Sequence, residues 1–178
     1  MLEISEVWRP APDWSTAALG GDRIEARTLH GVSQFLVSGD IAGFRAQHGL
    51  ASDVGALGLA RGAAYAVRMA RDRILAVGLP EEAVTVGWNP SGYAVTSMSA
   101  ALHVLEFSGR NVLELVARAT TIDPGDPGPC AALQFAGVLG CLYRHGDDQT
   151  LRLHFDRGLA DYVWTWLQNQ PLFAGSAA

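Results

Sequence analysis

Two stretches of the chain carry apolar residues at helical spacing. They are Val112, Leu115, Val116 and Ala119 in the first stretch, and Leu159, Tyr162, Val163, Trp166 and Leu167 in the second. Residues at i, i+3, i+4 and i+7 lie on one side of an α-helix. We therefore predict two helices that each bury one face, the second ending near Asn169 and before Pro171.

Strands are predicted from a different spacing. Apolar and polar residues alternate from Leu151 to Asp156, and this period of two is typical of a strand with one buried face. A short helix is predicted through Ile41 and Phe44, stopping at Gly49. Further apolar runs predict strands over residues 34–37, 63–69, 73–77, 103–107, 130–136 and 138–144.

The two halves of the chain share one local pattern. Ser-Gly pairs at 38–39 and 108–109 each follow an apolar run and precede a predicted helix. Serine can cap a helix and glycine can bend the chain, so each pair predicts a strand-to-helix turn. We predict a single α+β domain over residues 22–170, with helices packed on a largely antiparallel sheet. Its two strand-helix-strand-strand repeats cover about residues 22–95 and 96–170.

Residues 1–21 lack a sustained periodicity and contain two prolines and a glycine pair, so we predict an N-terminal arm. Trp8 and Trp14 in this arm are costly to leave in water. Either both rings fold back on the chain's own core, or they contact another chain, because tryptophan is enriched in interface hot spots. Residues 171–178 are predicted to form a flexible tail.

Composition excludes several classes of function. The 178 residues include 13 basic side chains, all arginine, against 18 acidic ones, which gives a formal net charge of −5. Without lysine the chain can form neither a Schiff base nor the lysine contact of a phosphate-binding loop. Nucleic-acid binding requires a dense basic patch. It is disfavoured here, because Arg68, Arg71 and Arg73 form the one cluster of arginines and the others are scattered singly along an acidic chain. No leader or membrane-spanning run is visible, so we expect a cytoplasmic protein without membrane contact.

The common catalytic motifs are missing. Ser91 lies in a Pro-Ser-Gly turn rather than in a G-x-S-x-G motif. The glycines at 55, 58 and 62 have the wrong spacing for a dinucleotide fingerprint. Asp123 follows a predicted helix and enters a Pro-Gly loop, where it could bind backbone amides or a ligand, and turn stabilisation is the favoured interpretation.

Four possible metal ligands occur in the second half: Cys130, Cys141, His145 and His154. Their spacing matches no standard zinc pattern. We therefore favour two buried thiols and exposed hairpin imidazoles over a metal site. His103 lies inside an apolar strand, where a core histidine satisfied by one hydrogen bond is more common than a catalytic base.

Four segments carry a family resemblance. They are the Ser-Gly turn at 108–109 with its helix, residues 121–124, the strand at 140–144 and the closing helix at 161–167. Residues from about 97 to 167 resemble the gamma subunit of heterotetrameric sarcosine oxidases, a relative of the aminomethyltransferase (glycine-cleavage T protein) fold. The first half is more loosely similar, so the likeness covers about residues 20–170.

The resemblance implies a flavin-dependent complex that oxidises sarcosine or a related N-methyl amino acid, with tetrahydrofolate accepting the one-carbon unit. It places FAD, FMN, NAD, tetrahydrofolate and zinc on the alpha, beta and delta subunits, so we expect no cofactor or metal on this chain. Folate-using relatives carry an acidic residue in the hairpin where this chain has Gly-Val-Leu-Gly-Cys at 137–141. That difference argues against catalysis by this chain.

Two hypotheses follow from these observations. The first is a non-catalytic gamma subunit with a structural role in assembly, with no catalytic, cofactor-binding or metal-binding residue of its own. In this hypothesis Trp8 and Trp14 contact a partner subunit. The alternative is a folate-binding, aminomethyltransferase-like domain that handles a one-carbon unit and uses Asp123.

Overall fold

A computed structural model describes residues 11–174. Its strands are β1 (Ala18–Gly21), β2 (Ile24–Thr28), β3 (Gln34–Gly39), β4 (Leu59–Ala60), β5 (Tyr65–Ala70), β6 (Arg73–Val77), β7 (Gly87–Asn89), β8 (Tyr93–Ser97), β9 (Leu102–Ser108), β10 (Ala132–Phe135), β11 (Val138–His145) and β12 (Thr150–Asp156). Its α-helices are α1 (Ile41–Gln47), α2 (Val112–Ala119) and α3 (Ala160–Gln168), and short 3-10 helices cover Glu81–Ala83, Arg157–Leu159 and Pro171–Phe173. The predicted α+β class is confirmed.

The strands form two sheets. The large sheet has the order β1-β2-β9-β12-β11-β10, and β4 pairs with the C-terminal end of β11. The small sheet has the order β5-β6-β3-β8-β7. Both are antiparallel, except that β4 runs parallel to β11. The β1–β2 hairpin pairs with β9, a strand of the second half. The first repeat was predicted to begin at residue 22, which lies between β1 and β2. That boundary therefore divides a hairpin that belongs to the sheet of the second half.

Helices α2 and α3 pack on one face of the large sheet. Helix α2 spans the predicted residues and buries its predicted face. Helix α3 buries Ala160, Val163, Trp164 and Leu167, whereas Leu159 and Tyr162 of the predicted face are 40% and 51% exposed. The Asp156 side chain accepts a hydrogen bond from Gly158 N and caps a 3-10 turn before the helix. Helix α3 therefore begins at Ala160. Most of its buried residues lie one position later in the chain than those of the predicted face.

Helix α1 covers the outer face of the small sheet. The Asp40 side chain caps it by accepting from Gly43 N, and Ile41 and Phe44 are its buried residues. The two sheets meet on their other faces, where Tyr65 and Val67 of β5 pack with Cys141 and Tyr143 of β11. The interior therefore has a helix-facing core on each sheet and a third core between the sheets.

The structure corrects the predictions for both ends of the domain. Strand β1 lies within the segment predicted as an arm, because a tight hairpin joins it to β2. The predicted flexible tail begins with a 3-10 helix in which Leu172 and Phe173 are buried, and Leu172 O accepts from Asp22 N at 2.9 Å. Within residues 11–174, no helix is long and apolar enough to cross a membrane.

Candidate functional site

A row of polar side chains crosses the interior between the two sheets. Gln34 and Tyr65 belong to β3 and β5 of the small sheet, and Tyr143, Arg152 and His154 belong to β11 and β12 of the large sheet. Successive residues of a strand point to opposite faces, and the residues between these polar groups pack under the helices. The polar side chains are therefore directed toward the opposite sheet.

Four hydrogen bonds connect the row. Arg152 Nη1 donates to Tyr65 Oη at 2.9 Å, and the hydroxyls of Tyr65 and Tyr143 lie 2.8 Å apart. Tyr143 Oη lies 2.6 Å from His154 Nε2, and His154 Nδ1 lies 2.5 Å from Gln34 Oε1. All but the bond between Tyr143 and His154 join one sheet to the other, so the row links the two sheets.

The two ends of the row determine the direction of its protons. A guanidinium can only donate and an amide oxygen can only accept. Tyr65 therefore accepts from Arg152 and donates to Tyr143. Tyr143 in turn donates to His154 Nε2, and His154 donates from Nδ1 to Gln34. This direction requires a neutral His154 with its proton on Nδ1, which agrees with burial lowering the pKa of His154 to about 3.

Glu106 on β9 extends the row to the surface. Its Oε2 accepts from Arg152 Nε at 2.9 Å, and its Oε1 accepts from Arg27 Nε and Nη2 at 3.0 and 2.6 Å. The Glu106 side chain is 7% exposed and that of Arg27 is 58% exposed. Burial by itself raises the pKa of Glu106, but hydrogen bonds and charge from Arg27 and Arg152 outweigh it, so the pKa is lowered overall.

The groups in the middle of the row do not titrate near neutral pH. Burial, with a further effect from the charge of Arg152, lowers the pKa of His154 to about 3. Burial also raises the pKa of Tyr143 well above its ordinary value and outweighs the hydrogen bonds that lower the pKa of Tyr65. The row is therefore suited to holding the sheets in register.

We expect the neutral state of His154 to make folding stability depend on pH. Its folded pKa of about 3 lies below the ordinary 6.5, so the unfolded chain binds this proton first as the pH falls. The contribution is fully present above pH 6.5 and is lost toward pH 3, with about 3 kcal/mol lost by pH 4. Urea unfolding measured from pH 7 to pH 4 should show that the free energy of unfolding falls less in His154→Gln than in the wild type.

The exposed His30 offers a control for this measurement. His30→Gln should keep the wild-type dependence on pH, because that side chain is not buried between the sheets. The same dependence in His154→Gln and the wild type would contradict the assignment of the slope to His154.

His103 lies on the opposite, helix-facing side of β9. Its ring centroid is 4.9 Å from that of Trp14 and 5.5 Å from that of Phe155, and its Nε2 lies 3.4 Å from Thr28 Oγ1. Burial lowers its pKa to about 4. These surroundings agree with the favoured interpretation of a core histidine with one hydrogen bond.

Trp14 packs on the core of its own chain. Its ring lies edge-on to Trp164, with 5.8 Å between centroids, in addition to its contact with His103. Its carbonyl oxygen also accepts from His30 Nε2. These contacts agree with a ring folded back on the core, and a role for Trp14 in binding a partner stays a prediction. Trp8 lies outside the described residues.

The four possible metal ligands do not come together. Cys130 Sγ donates to Met69 O at 2.8 Å, and burial raises the pKa of Cys141. The His145 ring lies 5.0 Å from that of Tyr65, between centroids, and is partly exposed, whereas His154 is buried. The prediction that both imidazoles are exposed is therefore wrong for His154. Within residues 11–174, no three His, Cys, Asp or Glu side chains form a possible metal site.

Ser91 and Asp123 both lie in turns. Ser91 N donates to Asn89 Oδ1 at 2.9 Å in the loop between β7 and β8. Asp123 Oδ1 accepts from Gly125 N at 2.8 Å on the surface. Both contacts agree with the turn interpretations of these residues.

Comparison with known proteins relates the fold to a family. Residues 42–172 match the family model for the sarcosine oxidase, gamma subunit family. The chain belongs to this family. A comparison with curated proteins gives no match.

The fold of this gamma-subunit family member also has a similar solved structure. It matches a chain of the heterotetrameric sarcosine oxidase from Corynebacterium sp. U-96, determined in complex with pyrrole 2-carboxylate. The TM-score is 0.68 and the sequence identity is 19%, covering 90% of this chain and 89% of that chain. A likeness at this identity shows a shared fold.

The small sheet of this gamma-subunit family member leaves part of one face uncovered. Directly paired residues of β3, β7 and β8 share that face, which we call the open face: Leu36, Ser38, Trp88, Ala94 and Thr96. The other face of these strands packs under α1, and the large sheet packs on the neighbouring strands β5 and β6. Trp88 is 72% exposed, and Val86 just before β7 is 56% exposed.

Neither the polar row nor the open face is predicted from the sequence. Glu106 and His154 carried a signal, since a polar residue inside an apolar strand requires a buried partner. The partners could not be identified, because Gln34 and His154 are 120 residues apart in the chain. Trp88 carried no such signal, because its exposure depends on how the sheets pack.

Proposed function

We propose that this chain is the non-catalytic gamma subunit of a heterotetrameric, sarcosine-oxidase-like flavoenzyme complex and that its role is structural. The match to the gamma subunit family over residues 42–172 supports this proposal. The polar row supports it as well, because its titratable groups are bonded to one another between the sheets and stabilise the fold.

The observation that carries the assembly role is the open face. An exposed tryptophan beside Leu36 and Ala94 is typical of a protein contact, because tryptophan is enriched at interface hot spots. The strand of the large sheet that corresponds to β8 differs in character, since Glu25 and Arg27 of β2 are exposed and charged. The small sheet therefore offers the apolar surface that we propose a partner subunit covers.

The division of chemistry within the proposed complex follows the family resemblance. FAD, FMN, NAD, tetrahydrofolate and zinc would be bound by the alpha, beta and delta subunits, which are the proposed partners of this chain. The substrate of the complex would be sarcosine or a related N-methyl amino acid, oxidised with tetrahydrofolate as the acceptor of the one-carbon unit.

We also infer that the domain is an internally repeated, T-protein-like fold. Strands β3, β6 and β5 with α1 follow the same order and pairing as strands β9, β12 and β11 with α2. Each set places a Ser-Gly pair between its first strand and its helix. This correspondence supports a duplication of one strand-helix-strand-strand unit.

Co-expression of the chain with its genomic neighbours tests the proposed function. A tag on this chain should retain larger subunits, and the purified complex should be yellow and show flavin absorption. A colourless monomer that binds tetrahydrofolate in a titration would overturn the proposal in favour of the folate-binding alternative. The turn that engages Asp123 gives that alternative no support.

A further inference from the structure

A pocket of about 600 Å³ lies on the opposite side of the small sheet from the open face, between the start of α1 and the turn that joins β5 to β6. Three arginines line it, Arg45, Arg68 and Arg71, together with Asp72. This pocket contains two members of the arginine cluster at 68, 71 and 73, to which the proposed function assigns no role.

Two of the arginines are fixed by a buried carboxylate. Asp53, whose side chain is 10% exposed, accepts from Arg45 Nη1 at 2.9 Å and from Arg68 Nε and Nη2 at 2.5 and 2.8 Å. Arg68 Nη1 also donates to Arg71 O at 2.8 Å. Both guanidinium groups are therefore held in position before any ligand binds, which reduces the ordering cost of binding.

The pocket retains positive charge and one guanidinium without a partner among the described residues. Within residues 11–174, the exposed guanidinium of Arg71 has no ion-pair or hydrogen-bond partner. Three positive charges face two negative ones, on Asp53 and Asp72, so a net charge of +1 remains in an otherwise acidic chain.

We propose that this arginine pocket binds a phosphate-type oxyanion, either free phosphate or the phosphoryl group of a small molecule. Planar guanidinium groups match the oxygens of phosphate and form charge-assisted hydrogen bonds with them. Arg71 would be the mobile ligand that completes the site, and Arg45 and Arg68 would supply fixed positive charge. This proposal does not depend on the chain being part of a larger complex.

Phosphate titration of the full chain tests the pocket. Thermal unfolding should shift to higher temperature in sodium phosphate relative to sodium chloride of equal ionic strength, because only the folded chain holds the site. Broadening of the phosphorus NMR signal should give the affinity for inorganic phosphate, and glycerol phosphate in place of phosphate tests the phosphoryl source. Succinate, a carboxylate of similar charge, should bind more weakly.

Arg71→Ala is the informative variant, because the side chain lies in an exposed turn and its loss leaves the Arg71 carbonyl bond to Arg68 in place. Its affinity for phosphate should fall about tenfold, the loss expected for one charge-assisted contact. Arg73→Ala is the matched control, since Arg73 is exposed two residues away and does not line the pocket.

Two results would overturn the proposal. One is a wild-type chain whose unfolding temperature and phosphorus signal respond no more to phosphate than to chloride. The other is equal weakening in Arg71→Ala and Arg73→Ala, which would show that phosphate responds to general surface charge. Arg71→Lys should retain part of the binding, because it keeps the charge and loses the planar fork.

Discussion

Replacing Glu106 with alanine should lower the free energy of unfolding by about 3–5 kcal/mol, the usual cost of removing one partner from a buried ion pair. Glu106 is the carboxylate between Arg27 and Arg152, and only 7% of its side chain is exposed. The Arg152 side chain is only 17% exposed. Without Glu106, its positive charge would be left largely buried and without a carboxylate partner. Arg152 also donates to Tyr65, so the loss should weaken the bonding between the sheets.

Urea unfolding at pH 7 measures this effect, and Glu114→Ala provides its control. Glu114 forms an exposed i,i+4 pair with Arg118 on α2, and such pairs contribute only about 0.3–0.5 kcal/mol. Glu106→Gln should fall between the wild type and Glu106→Ala, because the amide keeps an oxygen acceptor and loses the charge. Losses of similar size in Glu106→Ala and Glu114→Ala would show that the buried carboxylate does not support the fold.

Acid should weaken the same link. The folded pKa of Glu106 is lowered from its ordinary value of 4.5, so the unfolded chain takes up this proton first as the pH falls. The stabilisation is present above pH 4.5 and is lost as the pH falls through the folded pKa. His154 acts in the same direction over a higher range of pH, since its ordinary pKa is 6.5.

The sequence predicts the local elements of this fold well where one face is buried. Helix α2 and strand β6 have the predicted bounds, because their apolar periodicity directly reflects burial. Strands β1, β2, β4, β7 and β8 were not predicted. They are short, and β7 has little buried side-chain surface. Strands β2 and β8 pair with β9 and β3, which lie far along the chain, whereas β7 pairs with the adjacent β8.

The sequence does not predict how the two halves combine. The β1–β2 hairpin joins the sheet of the second half through pairs such as Ala26 with Phe107, which a local pattern cannot specify. The arginine pocket has the same origin, since Arg45 and Arg68 are brought together by Asp53 from separate elements. Residues with local roles, such as Ser91 and Asp123, were interpreted correctly because their partners are two residues away.

Replacing Trp88 with alanine should reduce recovery of the assembled complex by about 30-fold at limiting concentration, the effect of losing a hot spot worth about 2 kcal/mol. The ring is 72% exposed on the open face, so its removal should leave the unfolding temperature of the isolated chain almost unchanged. If Trp88 contacts a partner, Trp88→Ala should reduce recovery of the complex and leave the unfolding temperature unchanged. If Trp88 instead supports the monomer, the unfolding temperature should fall as well.

Leu139→Ala provides a matched control, because Leu139 is 71% exposed and belongs to β11 of the large sheet, away from the open face. Co-purification through a tag on this chain, followed over a dilution series, should show loss of partners for Trp88→Ala and wild-type recovery for Leu139→Ala. Trp88→Phe should recover part of the assembly, since a smaller aromatic ring still buries apolar area. If Trp88→Ala recovers the partners as well as the wild type at every dilution, the open face is not the partner surface. Co-expression of the wild-type chain would still test, separately, whether the chain belongs to the complex.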